Sequence, residues 1–487
     1  MKTALFTKTN LLLFLFYTNI SYSQNSFIFT IKENLWDNIP TNCISLSNGG
    51  FILTTVIQHI DTFTMNTFTR KVELIKLNKQ GQMINIKDID YQGRNCAIAN
   101  FVQVNSNEFI GCGYIIDTDN SYKLWLFKID SSLNEIQNKV LSLGHYNYYY
   151  IKCKIDHNGN VLCFGNVQDT IIQISVRLFI GKFSETLDSI HTKIFGLGLG
   201  EFDLLEKPDY SGYYFFVSGY NSIATGQVLK MDTSFILKSV DSIPRKVTSP
   251  LNAFLINPNK IYLTGEKIWS NNTRYIGALI LDTQYSVIHQ NFLGKLDTIT
   301  FPGFYKNLDY YYNIAYIGGT LNFYQSEFAQ GYCWYYLNKV DTTLDIKWQK
   351  YFGGDANYTL YGVLATPDSG CLMYGTRYDW NTQINERDIY VIKVNKDGLI
   401  LSAGGTISEK VKEAILFPNP ATDKIYVRTA LRGLTLSLFD VNGRYVMNEE
   451  IQSMSDQFDI SNLVSGIYFY RFTKDEKMID SGKLIKQ

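Results

Sequence analysis

The chain's 487 residues exceed one ordinary domain of roughly 150 residues, so two or three units, or one large repeat fold, are expected. Its 45 Lys+Arg balance 45 Asp+Glu, so no net field gathers nucleic acid or an anionic membrane, and nucleic acid is set aside as a partner. Tyr (35) and Phe (31) are abundant, Pro (9) is scarce, and apolar residues alternate over short runs, a pattern of half-buried strands that predicts an all-β protein.

At the N-terminus, Lys2 and Lys8 flank an otherwise uncharged start, Leu11 to Tyr17 is an apolar run, and Ser21-Tyr22-Ser23 supplies small residues where a signal peptidase reads. This predicts a signal peptide over 1–23, cut between Ser23 and Gln24. The run is far shorter than the ~20 residues that span a bilayer, so a retained anchor is the weaker reading. No cysteine follows the small residues, which argues against a lipoprotein.

Between the ends, a strand, a Gly/Asn/Asp turn and a second strand recur seven times, with anchor positions at 55, 113, 165, 219, 265, 319 and 375. A second unit follows each, an apolar strand ending in Lys-x-Asp or Lys-x-Asn, as at Lys76-Leu77-Asn78, Lys128-Ile129-Asp130, Lys230-Met231-Asp232, Lys339-Val340-Asp341 and Lys393-Val394-Asn395. Lys182 with Ser184 and Ile280 with Asp282 are degenerate copies. Seven units of about 53 residues, each with four strands, predict a seven-bladed β-propeller over 24–405, because one such sheet cannot bury both faces alone. The turn residues are then structural punctuation. Phe27 to Ile31 form an extra strand before the first unit, placed to pair into the last blade and latch the ring.

Chemistry is harder to find. The seven cysteines are scattered without a CxxC pair and read as buried small apolar residues. The five histidines are dispersed with no HExxH, so no metal site is indicated, and no nucleotide-binding or nucleophile-elbow motif suggests a cofactor. The feature that stands out is aromatic clustering near blade edges, at His145 to Tyr150, Tyr310 to Tyr312, Tyr332 to Tyr336, and Tyr378 to Trp380. Tyr148, Tyr150, Trp334 and Trp380 are therefore the candidate ligand-binding aromatics, against the alternative that half of each cluster packs between blades.

After a polar linker at 406–413, the segment 414–487 reads as a separate small β domain. It carries Phe417-Pro418-Asn419-Pro420, Lys424 to Val427, Leu438-Phe439-Asp440-Val441-Asn442-Gly443-Arg444, Phe458 to Leu463, Ser465-Gly466-Ile467-Tyr468-Phe469 and Gly482-Lys483-Leu484-Ile485-Lys486. Pro418 and Pro420 keep the linker out of a ladder, and Asn442-Gly443 supplies the positive-φ pair of a tight hairpin. Gly466 marks a turn into an aromatic strand. This ordered set resembles the type A C-terminal sorting domain of type IX secretion cargo in Bacteroidetes, an immunoglobulin-like β-sandwich. The alternative is a generic immunoglobulin-like accessory module.

The resemblance implies recognition by the type IX translocon through motif residues Pro418, Asn419, Pro420, Asp440, Gly443, Gly466, Tyr468 and Lys483. It also implies removal of the segment and, often, attachment of the remainder to surface lipopolysaccharide. The expected protein is thus a secreted or cell-surface propeller that binds an unknown extracellular ligand, glycan or protein. Its rival is a propeller-based enzyme, a glycan hydrolase or lyase or a peptidase, with its acid and base in the central channel.

Overall fold

The computed structural model describes residues 26–32, 36–60, 67–142, 144–171, 176–197, 200, 202–219, 225–243, 247–268, 273–295, 298–323, 328–382, 386–400 and 413–487. The expected cleavage site at Ser23 and Gln24, and all of the linker but Glu413, lie outside them. Strands and turns, without a helix, make up the described residues.

Seven antiparallel sheets span 36–89, 96–141, 146–197, 202–242, 249–293, 300–353 and 357–394, each a meander in chain order. First strands of neighbouring sheets touch. Trp36–Ser45 lies against both Cys96–Gln103 and Asn357–Ala365, so the first sheet meets the second and the seventh and the ring closes around a channel. The seventh sheet takes only three of its strands from 357–394. Its fourth is Phe27–Ile31, antiparallel to Asp388–Val394 with Phe27 opposite Lys393 and Ile31 opposite Ile389, the latch expected from the spare N-terminal strand.

The recurrent Lys-x-Asp motif proves to be a turn with an anchor. The Asp or Asn carboxyl or amide oxygen accepts backbone N–H bonds two and four residues on, as Asp130 does from Ser132 and Asn134, Asp232 from Ser234 and Ile236, and Asp341 from Thr343 and Asp345. One residue before the second donor, the chain turns left-handed, at Leu133 (φ 68°), Leu187 (58°), Phe235 (57°), Tyr285 (63°) and Leu344 (69°). Large side chains avoid this region, yet all five are buried, so the turn drives an apolar plug into the core in exchange for local strain. Lys76 and Lys339 reach one repeat further, Lys76 Nζ to Ser131 O and Lys339 Nζ to Lys396 O, and stitch their sheets to the next turn, whereas Lys230 and Lys393 pair within their own repeats with Asp241 and Asp368.

Two departures from the expected pattern appear. The sixth sheet holds five strands rather than four, because its first strand is split into Thr300–Pro302 and Leu308–Tyr311. The hairpin at Asn442-Gly443 uses one left-handed residue rather than two, Gly443 (φ 77°), with Asp440 accepting the N–H groups of Asn442 and Arg444. All seven cysteines are buried, and none of them is in a disulfide.

The C-terminal unit is a sandwich of a three-stranded sheet and a four-stranded sheet, running from Ala414–Phe417 to Lys477–Lys486, over its own apolar core. It docks on the sixth sheet. The Arg428 guanidinium lies 3.0 Å from the Tyr332 ring centre and 4.5 Å from that of Phe417, and donates to Gly354 O at 3.2 Å. Lys350 and Glu413 pair at 3.1 Å beside it.

Candidate functional site

The first strands line the channel, and most of them carry a bulge partway along, where one extra residue disturbs the ladder: between Pro40 and Asn42, Ile98 and Asn100, Tyr149 and Lys152, Pro250 and Asn252, and Leu360 and Gly362. Backbone N–H groups along this edge donate to polar side chains of the preceding sheet. Asn100 Oδ1 accepts from Cys153 N at 3.1 Å, Asp203 from Ala253 N at 2.7 Å, Asn252 from Asn307 N at 2.7 Å and Asp309 from Ala365 N at 2.7 Å. The channel wall is therefore stitched from sheet to sheet. Two of its carboxylates also hold cations, Asp203 with Lys154 at 2.7 Å and Asp309 with Lys306 at 3.1 Å.

At the sixth sheet the bulge becomes a full excursion. Residues 304–306 leave their own ladder and bond to the seventh sheet instead, Phe304 N to Leu360 O, Tyr305 N to Tyr361 O and Val363 N to Lys306 O, while Gly303 and Asn307 on either side stay bonded to Gly318 of their own sheet. The rings of Phe304 and Tyr305 then sit 5.3 and 5.6 Å from that of Tyr361. Burial pushes the Tyr305 phenol well above its ordinary range, and the groups that act on it electrostatically are Tyr150, Tyr114, Arg387 and Arg70.

Three of those groups, Tyr114, Arg70 and Arg387, are joined by a chain of hydrogen bonds at the end of the channel where the first strands begin. Arg70 donates to Tyr114 Oη at 2.5 Å and to Gln58 Oε1 at 2.9 Å. Gln58 Nε2 donates to Asp37 Oδ2 at 2.7 Å, Asp37 holds Arg387, and Arg387 Nη1 donates to Tyr361 Oη at 3.1 Å. Five sheets, the first, second, third, sixth and seventh, thus contribute to one mouth. Tyr122 extends its wall, its ring 5.0 Å from Tyr114 and 4.9 Å from Tyr149.

Of the four aromatics singled out in the sequence, the structure places one at this mouth. Tyr150 is 66% exposed, at a bulge with φ 49°. Trp380 is half-buried against the Tyr332 ring at 4.8 Å. Tyr148 and Trp334 are corrections, being 0% and 2% exposed, Tyr148 edge-on to Phe179 and Trp334 within the core shared by the fifth and sixth sheets. Neither can stack on a ligand. Arg70, Tyr114, Tyr305, Tyr361, Arg387 and Asp37 were not legible as a set. A usable signal existed in register: Arg70, Arg274 and Arg387 each stand six residues before the repeat's Lys or Ile, at Lys76, Ile280 and Lys393.

In the C-terminal unit the motif residues serve the sandwich. The Asn419 side chain, between Pro418 and Pro420, donates to Lys483 O at 2.6 Å and accepts from Ile485 N at 2.9 Å, tying the entry of the unit to its last strand. Gly466 opens the strand Gly466–Lys474, and Tyr468 Oη donates to Val464 O at 2.8 Å.

Residues 415–487 match the family of the secretion system C-terminal sorting domain. Among proteins of curated function, none matches the sequence. Solved structures similar in chain path include a protein of unknown function from Dyadobacter fermentans, at 10% identity over 76% of this chain and 98% of that one, TM-score 0.42. The β-propeller domain of the Trilobed protease from Pyrococcus furiosus is similar at 9% identity over 74% and 98%, TM-score 0.41. The polysaccharide lyase Uly1 is similar at 12% identity over 74% and 90%, TM-score 0.40.

Proposed function

We propose that this chain, marked by its sorting domain as type IX secretion cargo bound for the cell surface or the medium, is a binding propeller that takes an extracellular glycan or protein at the channel mouth. One observation carries the reading: Arg70, Tyr114, Tyr150, Tyr305, Tyr361 and Arg387 converge there from five sheets, although no repeat requires it. Rings with hydroxyl tips suit stacking combined with hydrogen bonding. The rival hydrolase needs two carboxylates of separated pKa, whereas Asp37, Asp203 and Asp309 on the first strands are each held by a cation and backbone N–H groups or a neighbouring amide. The same reading takes the mature chain to start at Gln24 and its ring to be released or joined to surface lipopolysaccharide.

The test is retention of the purified mature protein on cell-envelope polysaccharide and envelope proteins. Tyr150→Ala with Tyr305→Ala should weaken retention by roughly tenfold or more, about thirtyfold if the two stacked aromatic contacts contribute about 1 kcal/mol each. Unchanged retention with unchanged stability rejects the mouth as the site, and turnover of a glycan or peptide replaces the binding reading with the enzymatic one.

A further inference from the structure

Resting on that reading, we infer that the mouth recognises an acidic glycan, with Arg70 as the group that receives the ligand's anionic substituent. The charge inventory points there. Arg387 is neutralised by Asp37, and at the same repeat position of the fifth sheet Arg274 is neutralised by Glu266 at 2.7 Å. Arg70 occupies the matching position of the first sheet, but the acceptors that hold it are neutral, the Gln58 amide oxygen and the Tyr114 hydroxyl. Its Nε is buried without a hydrogen-bond partner, and no carboxylate among the described residues pairs with it.

A half-buried guanidinium held rigidly by neutral acceptors has lost part of its hydration without gaining a counter-ion, so an oxyanion delivered by a ligand gains charge-assisted bonds there. The phenols of Tyr114 and Tyr305 flank the same spot and can donate to that oxyanion. The adjoining wall favours a sugar over an acidic peptide as the bearer of the charge. Tyr114, Tyr122 and Tyr149 form a continuous ring surface leading to exposed Tyr150, the kind of face on which pyranose C–H groups stack.

The experiment measures binding of the full mature chain to four probes: polygalacturonate, the same polymer with its carboxyls reduced, a sulfated galactan, and polyglutamate. Binding to polygalacturonate or sulfated galactan at least tenfold tighter than to the reduced polymer, falling steeply with salt, is expected, and which of the two wins identifies carboxylate or sulfate. Arg70→Met should abolish that preference, and Arg70→Lys should retain part of it. Equal affinity for the acidic and reduced polymers overturns the inference while leaving a glycan-binding mouth intact. Tighter binding to polyglutamate overturns it in favour of an acidic peptide. Failure to bind any probe, with the Tyr150→Ala and Tyr305→Ala variants also without effect on envelope retention, removes both readings. Should Arg70→Met fail to fold, the comparison of acidic and reduced polymers on the unaltered protein still decides.

Discussion

The Asp37 carboxylate clasps Arg387 from 350 residues away in sequence, accepting from its backbone N at 2.9 Å, from Nε at 2.7 Å and from Nη2 at 2.5 Å. Both side chains are buried, and the bond joins the first sheet to the seventh beside the channel mouth. Removing one partner strands the other's charge in a desolvated place. Asp37→Asn should therefore destabilise the ring by about 3 kcal/mol or more, read as a lower midpoint in chemical denaturation, whereas the exposed-side pair Lys71 with Asp88 should be nearly silent when broken.

The latch strand is held by a fit between Phe27 and the first sheet. The Phe27 ring lies 5.9 Å from that of Phe51, and a Cβ at Gly81, which has φ +80°, would fall 2.2 Å from it. Phe27→Ala should cost about 3–5 kcal/mol, and Gly81→Ala should also destabilise by expelling the ring and straining the turn. In the double variant the Gly81→Ala cost should shrink, because the ring it struck is gone. A strictly additive pair in thermal unfolding would mean the two do not touch.

The left-handed plugs set strain against burial, and magnitudes decide the sign. Leu344→Gly relieves a backbone cost of about 1–2 kcal/mol but deletes a buried side chain worth about 2–5 kcal/mol with the cavity it leaves. Net destabilisation is expected in denaturant titration. Stabilisation would show that the turn's strain exceeds the value of its plug.

Lys295 supplies a pH dependence. Its Nζ is buried without a hydrogen-bond partner, over the Tyr351 ring at 4.7 Å, where the C-terminal unit docks. Burial, then the charges of Arg432 and Lys474, hold its ammonium down to about 8. The folded value lies below the unfolded one of about 10.4, so between them the unfolded state binds more protons and this residue's contribution to stability rises with pH from about 8 to about 10.4. Lys295→Met should raise the melting temperature at pH 7, and its advantage over the unaltered protein should fade as pH approaches 10. An advantage independent of pH would reject the assignment.

Much of this fold was legible because its devices are local. The Asx turns and the Lys-x-Asp strand ends repeat every fifty or so residues, and a spare strand at Phe27 to Ile31 fits a last sheet that is one strand short. The mouth was not, because Tyr150, Tyr361 and Tyr305 come from bulges and from the excursion at 304–306, features that break the repeat, and the strand residues Asp37, Arg70 and Tyr114 meet them only across sheet boundaries. Period-two alternation also misleads at a bulge: Tyr148 points into the core, and the extra residue after it turns Tyr150 out to solvent. Trp334 failed for another reason, since the third strand of its sheet is covered on both faces.

Because the first strand of the ring completes its last sheet, the order in which the chain emerges matters. Whatever is made or threaded first must wait for the residues up to Val394 before any edge disappears, and until then the seventh sheet presents an open side to other chains. The sorting segment at 415–487 comes later still. By the time the last of the address has emerged, every strand the ring needs is already out, so the order of the chain lets closure precede delivery.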